Sequence, residues 1–226
     1  MKAPTAIFKD EDILVVEKPA GMPSVSLKED EEETLASWLL KKFPKLSTLP
    51  KGKLEAGLVH RLDNDTSGLM VAARTVGAYK NLREQFDEGK VLKEYMALVI
   101  GNPPAKGMIE DPIAHHERKK KKMVVSKSGR PAETKFKVIK RFGKKYALLA
   151  VKIRTGVRHQ IRTHLASIGF PIAGDTLYQN PKKRGEDTLD LKRHFLHASK
   201  LGFTHPKTGM WLEFSSQLPQ DLLCFL

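Results

Sequence analysis

Two apolar segments, Leu58–Val59 and Leu69–Ala73, flank the polar loop HRLDNDTSG, which runs from His60 to Gly68. A carboxylate in such a loop can shape the turn by accepting nearby backbone N–H groups. It can also act on a substrate as a nucleophile or as an acid–base group. Asp65, Thr66, Ser67 and Gly68 are turn-forming residue types and suit the first role. Asp63 follows an arginine and a leucine at the mouth of a strand, and the residues alone leave it open between turn and chemistry. His60 reads first as a structural histidine. Arg61 can bind phosphate or stack on a base, or be an ordinary surface cation.

A second group of candidates lies in RHQIRTH, Arg158 to His164. A helix is expected from about Val157 to Ser167, with Ile161, Leu165 and Ile168 on its buried side. Arg158 and Arg162 are spaced i, i+4 and would share one face of it. An arginine at the edge of a buried stripe can meet a buried carboxylate and hold it ionised, or contact phosphate instead. In KEYMALV, a strand would point the Tyr95 ring away from the face of Glu94 and Met96. A core tyrosine with a bonded hydroxyl suits that position too. His159 and His164 do not share a helix face, the pattern is not HExxH, and His197 and His205 sit among non-ligand residues. No metal site is expected.

The elements that must position these residues are legible in outline. Ile13–Val16 reads as a buried strand, followed by the turn KPAG at Lys18–Gly21. The acidic run EDEEE, Glu29 to Glu33, precedes a helix over TLASWLLKKF. Leu35, Leu39 and Phe43 form its apolar stripe, and acids at the start with lysines at the end suit its dipole. Leu46–Lys53 reads as a loop. Thr75 caps a helix to about Glu88, ended by Gly89. Lys93–Ile100 is a strand. Phe136–Val138 and Tyr146–Ile153 form a hairpin around Gly143, and Gly169 with Pro171 stops the helix before them. Phe195–Phe203 is a strand, His205–Met210 a turn, and Trp211–Phe214 a last strand. Strands and hairpins with inserted helices, lacking regular βαβ alternation, predict an α+β fold with a mixed, largely antiparallel sheet.

Composition narrows the partner. Of 226 residues, 40 are Lys or Arg against 26 Asp or Glu, a formal charge of +14. The pI is near 9.8. That field attracts phosphate polymers. The basic clusters Arg118–Lys122, which includes Lys120 and Lys121, Lys182–Arg184 and Lys192–Arg193 would rim an RNA groove and make binding salt-dependent. The single cysteine, Cys224, excludes an intrachain disulfide framework and a zinc site built on several thiolates. The N-terminal MKAPTAIFKDED lacks an apolar core of about 7–15 residues, so no signal peptide is expected. No apolar run approaches the ~20 residues of a spanning helix. A monomeric, cytoplasmic protein with no membrane partner is expected.

The segment HRLDNDTSGLMVAA resembles the signature of RluA-type pseudouridine synthases, which convert uridine in structured RNA to pseudouridine. The resemblance continues, in family order, through VVEKPAGMPS, KEYMALV, TGVRHQIRTHLASIGFPIAGDTLY and FLHASKLGFTHPKTG. It implies a pseudouridine synthase fold of two lobes flanking a basic cleft, with Asp63 as the essential carboxylate. It further implies that Tyr95 stacks on a flipped uracil, that Arg162 pairs with Asp63, and that Arg61 helps fill the gap left by the flipped base. Leu196 would lie near the pocket wall, with His60 and Arg158 in RNA contact. Ribosomal or transfer RNA is the implied substrate, with no cofactor.

Three departures from the family pattern stand out. Asn64 stands where a basic residue is usual, Val157–Arg158 alter the run before HQIR, and Gln179 replaces a common glycine. The strand pattern begins near Ala6, leaving no room for the N-terminal S4 module of some members, so residues 1–226 are expected to form one catalytic domain. A non-catalytic RNA-binding or assembly protein is the first rival reading. A glycoside hydrolase is the second, but it would want a second positioned carboxylate and aromatic sugar platforms.

Overall fold

The computed structural model describes residues 3–25, 33–179 and 187–226. Along the chain, β1 (Thr5–Lys9) and β2 (Ile13–Lys18) precede α1 (Leu35–Lys42), a 3-10 turn (Pro44–Thr48) and α2 (Gly52–Glu55). Then come β3 (Ser67–Ala73), α3 (Val76–Asp87), β4 (Leu92–Ile100) and β5 (Lys106–Ile109). The hairpin strands β6 (Ile113–His115) and β7 (Met123–Val125) lead to β8 (Thr134–Phe142), β9 (Tyr146–Ile153) and α4 (Gln160–Ser167). β10 (Leu196–Thr204), β11 (Trp211–Ser215) and α5 (Gln220–Leu223) follow. Two compact units result, Met1–Leu92 with Ala198–Gln217, and Lys93–His197 with Leu218–Leu226.

In the first unit the strands run β1-β2-β3-β10, with β11 paired to β10. β2 is antiparallel to β3 from Ile13 opposite Ala73 to Lys18 opposite Gly68. Ile13, Val15, Leu69 and Val71 pack against Ala78 and Leu82 of α3, with Leu201 and Phe203 of β10 in the same cluster. Leu14 and Val16, on the other face of β2, are equally buried. A strand covered on both faces needs a continuous apolar run, as its sequence has. Thr75 caps α3, its hydroxyl accepting from the Ala78 amide.

In the second unit the order is β4-β9-β8-β5, antiparallel at each step. β6 and β7 form a separate antiparallel hairpin. Its base packs Ile113 and Met123 with Ala132 and Val157. α4 packs beside β7 and β8. A bulge between Val138 and Lys140 turns Ile139 outward to solvent.

The structure confirms an α+β fold with a mostly antiparallel sheet and revises several local expectations. α4 begins at Gln160, not Val157, because His159 adopts a left-handed conformation with φ 54°. Arg158 therefore precedes the helix, and the shared helical face expected for Arg158 and Arg162 does not form. Ile168 caps the C-terminus and is exposed rather than buried. The Leu46–Lys53 loop is largely the 3-10 turn and the start of α2. α1 has no acid in its first turn; Thr34 and Ser37 form a reciprocal capping box there, with Lys41 and Lys42 in the last turn. Residues 29–32 of EDEEE and the cluster Lys182–Arg184 lie outside the described residues.

Candidate active site

The HRLDN loop belongs to the first unit and is pinned along its length. The Val71 amide donates to His60 Nε2 at 3.0 Å, and the His60 ring stacks on Phe86 at 4.6 Å. An acceptor at Nε2 puts the proton of neutral His60 on Nδ1. Leu62 is gripped twice by Ser24, whose hydroxyl donates to the Leu62 carbonyl at 3.0 Å and accepts its amide at 3.1 Å. The Thr66 amide donates to the Asp63 carbonyl at 3.1 Å, closing the turn at Asp63–Thr66. Asp63 is half-buried, whereas Arg61, Asn64 and Asp65 are exposed.

Lys18 is the residue that sequence reasoning passed over. It is fully buried, and its ammonium donates to the carbonyls of Pro19 at 2.9 Å, Met22 at 2.7 Å and Asn64 at 2.9 Å. Asn64 also accepts the Gly21 amide at 3.0 Å. A buried ammonium is tolerable only when its protons find acceptors; here three carbonyls supply them. The KPAG turn is thereby tied to the residue next to Asp63. Asn64 contributes through its backbone, so its departure from the family pattern leaves this tie intact. The signal was a lysine closing a strand that opens on the buried apolar run Ile13–Val16.

Gly68 at the start of β3 has φ 121°, and a Cβ there would meet the Ala198 carbonyl oxygen and lie 2.6 Å from the Ala198 amide nitrogen. Only glycine lets β10 approach so closely at this point.

Tyr95, Arg162, Arg158, Leu196, Lys120 and Lys121 belong to the second unit. Tyr95 lies on β4 opposite Val151. Its buried side alternates with half-buried Glu94 and Met96. Lys93 shares that buried face. Its ammonium donates to the Arg154 and Thr155 carbonyls at 3.0 and 3.1 Å, and burial lowers its pKa from the ordinary 10.5 to about 8.

Arg162 is buried on α4 and held edge-on by Asp175. Nε donates to Oδ2 at 2.7 Å and Nη2 to Oδ1 at 3.0 Å. The fork geometry of guanidinium against carboxylate fixes the plane as well as the position of Arg162. The Tyr178 ring lies beneath it, with Cζ 5.1 Å from the ring centroid. Asp175 and Tyr178 sit in the GDTLY block, which no local pattern marked as the mount of a helix residue. The left-handed His159 just ahead of α4 stores roughly 1–3 kcal/mol of backbone strain. The Thr163 amide donates to its carbonyl at 2.8 Å.

The remaining candidates are spread out. Arg158 is exposed, Leu196 is buried in β10, and Lys120 and Lys121 are exposed at the tip of the β6–β7 hairpin. That tip is closed by backbone bonds from the His116 amide to the Lys122 carbonyl at 2.9 Å and from the Lys122 amide to the Lys119 carbonyl at 2.8 Å. Gln179 is buried, and its amide donates to Asp187 Oδ2 at 2.6 Å, a bond that glycine could not make.

Asp10, Asp12 and His205 form the one grouping with metal-ligand spacing among the described residues. Two amides, of Lys207 and Thr208, donate to His205 Nδ1, so its Nε2 carries the proton given to Asp10 at 2.9 Å. Burial raises the Asp10 carboxyl, but the Ile13 and Asp12 amides and His205 outweigh it and bring the pKa below 3.8. The group is a clasp between two turns, with its histidine lone pair already used.

The fold has close counterparts among solved structures. Human RNA Pseudouridylate Synthase Domain Containing 1 superposes with a TM-score of 0.75 at 25% identity, covering 96% of this chain and 84% of that one. The class is thus a pseudouridine synthase fold carrying an aspartate loop on one unit and a mounted arginine on the other. The model of the RNA pseudouridylate synthase family matches residues 12–167, and the chain belongs to that family. A Chloroflexus aurantiacus protein named as an uncharacterized RNA pseudouridine synthase is 44% identical over 205 residues, covering 91% of this chain. The ribosomal large subunit pseudouridine synthase D of Nitrosomonas europaea is 38% identical over 223 residues, covering 97% of this chain. The chain spans 63% of the length of each of these two relatives.

Proposed function

We propose that this protein isomerises uridine to pseudouridine in structured RNA, with Asp63 as the nucleophile. The reaction breaks the N1–C1′ bond, turns the base and rejoins it through C5. The C5 proton leaves to water and N1 ends protonated, so there is no net redox change. A carboxylate nucleophile divides such a substitution into two easier steps. Tyr95 serves as the stacking partner of the flipped uracil, and Arg162 holds Asp63 ionised by its charge. Arg61 occupies the space the base leaves. Flipping costs a few kcal/mol of unstacking, which RNA contacts must offset.

The observation that carries this reading is the way the Asp63 loop is built. Lys18, Ser24 and His60 each spend a buried or half-buried polar group on holding the backbone around one half-buried carboxylate. Reactive groups need such support to stay in productive geometry, whereas a simple turn does not.

The relatives named as ribosomal large subunit enzymes favour large-subunit ribosomal RNA as the substrate, with a transfer RNA stem-loop as the alternative. Lys120, Lys121, Arg158, His60 and Leu196 are assigned to RNA contact. Phosphate contacts by such cations fix register without choosing the base. The two units act together as one catalytic domain, in a monomeric, cytoplasmic protein. No helix among the described residues is long and apolar enough to cross a membrane.

Tritium release from RNA labelled at uridine C5 tests the proposal. Wild-type protein releases tritium, and Asp63→Asn releases none while binding the RNA equally well. Binding without release by the wild type, across total cellular RNA, would replace the enzyme with an RNA-binding module.

A further inference from the structure

Within its unit Tyr178 meets Met123, His159, Arg162 and Lys122. It is buried. Its hydroxyl accepts the amide of Met123, the first residue of β7, at 2.9 Å. The same oxygen lies 3.0 Å from His159 Nδ1. The Met123 amide donates to the hydroxyl, and the hydroxyl and His159 Nδ1 share one hydrogen bond whose direction follows the histidine tautomer. The His159 ring meets the tyrosine edge-on, with centroids 5.8 Å apart. Two cations address the ring itself, Arg162 with Cζ at 5.1 Å and Lys122 with Nζ at 5.3 Å from the centroid.

Each contact belongs to a different part of the site. Lys122 closes the basic tip that carries Lys119, Lys120 and Lys121. Met123 begins the strand that anchors that tip. His159 is the left-handed residue whose carbonyl starts α4. Arg162 lies one helical turn further on. We propose that Tyr178 is a positioning residue that couples RNA held on the β6–β7 hairpin to the placement of Arg162. The coupling rests on the reading that Arg162 serves uridine isomerisation.

The physical route is short. Phosphates at Lys119–Lys121 stiffen a tip already closed by backbone bonds, and Lys122 and Met123 move with it. The Met123 amide fixes the Tyr178 hydroxyl, and the hydroxyl fixes His159 in the conformation from which α4 begins. The ring also seats both cations, Lys122 and Arg162, but the hydroxyl chain carries the coupling. A tyrosine serving only the core would need its bonded hydroxyl, but not these particular partners.

Tyr178→Phe keeps the ring and both cations and removes only the hydroxyl. Hydrogen exchange of the full chain is followed with and without a short RNA hairpin bearing a uridine-rich loop. In the wild type, RNA slows exchange at residues 116–123 and at the first amides of α4, Thr163 to Leu165. In Tyr178→Phe the hairpin is still protected and α4 is not. Equal protection of α4 in both proteins, or none at the wild-type hairpin, overturns the coupling. Kinetics give a second reading. Lys120→Ala with Lys121→Ala raises KM and lowers kcat about fivefold in the wild-type background, but only raises KM when combined with Tyr178→Phe. An equal kcat loss in both backgrounds overturns the coupling while leaving the isomerase reading intact. RNA-dependent protection of α4 in a protein that releases no tritium supports the coupling and overturns the isomerase reading.

Discussion

The guanidinium of Arg162 is clamped along one edge by the carboxylate of Asp175, at 2.7 and 3.0 Å, with both side chains almost fully removed from solvent. A buried charge that loses its partner is penalised far more than the pair itself stabilises. Asp175→Asn is expected to lower stability by about 3 kcal/mol, because it removes the carboxylate charge that clamps the buried guanidinium. It also frees the plane of Arg162, so kcat for tritium release falls at least about tenfold with little change in RNA affinity. Urea denaturation and single-turnover kinetics measure the two effects. An Asn variant of full stability and full kcat would show that the clamp is idle.

Lys18→Met tests the mount of the aspartate loop. Methionine fills much of the volume but leaves the Pro19, Met22 and Asn64 carbonyls without their shared donor. The expected loss is about 2–4 kcal/mol. Below the lowered unfolding temperature, the surviving activity should show a reduced kcat and a KM that changes much less, since the hairpin cations Lys120 and Lys121 are untouched. A variant that loses stability alone would confine Lys18 to folding.

Gly68→Ala addresses the close approach of β10 to β3. The new methyl meets the Ala198 backbone, and φ 121° disfavours any L side chain. Backbone atoms cannot swing aside, so the strands must part, at an expected loss of about 2–4 kcal/mol. Thermal unfolding checks this; Gly77→Ala, where a Cβ meets nothing within 4 Å, is the control and should be neutral or stabilising.

His164 makes α4 acid-sensitive. It is fully buried, 2.8 Å from the Asp111 carbonyl through Nε2 and 2.9 Å from the Thr134 hydroxyl through Nδ1. Burial lowers its pKa below 6.5, against the opposing pull of the Asp111 carbonyl. As pH falls below 6.5, the unfolded chain takes up the imidazole proton before the folded chain does. Unfolding therefore binds a proton, and stability declines from its full value above that pH. The urea midpoint should drop between pH 7.5 and about 5.5, and His164→Gln should flatten that dependence. A wild-type midpoint constant over this range would contradict the assignment.

Much of the scaffold was legible because its signals are short-ranged. Thr75 caps α3 as its position before the apolar stripe implied, and Gly89 ends it with φ 68°. The β8–β9 hairpin turns at Gly143, whose φ is 59°. The continuous apolar run at Ile13–Val16 is buried on both faces. Where a local rule failed, the cause is equally specific. His159 takes a left-handed φ with a side chain that ordinarily avoids it, so α4 starts late and Arg158 parts from Arg162. The Tyr178 hydroxyl that meets His159 comes from 19 residues further along, beyond the reach of helix periodicity.

By itself the sequence, through its resemblance to the family, marked the candidates for the chemistry: a carboxylate in a polar loop between buried strands, a tyrosine on a strand, an arginine on a short helix, and a strongly basic composition. Their types and the motif blocks in order suffice to mark them, because composition and local sterics are written position by position. The mounts were decided by tertiary structure alone. Lysine ordinarily avoids the interior, so nothing local announces that Lys18 is buried to hold the carbonyl beside Asp63. Nothing local pairs Arg162 with Asp175 either. Such partners are chosen by through-space distance, after burial has made an unpaired charge or carbonyl too unfavourable to leave unmet.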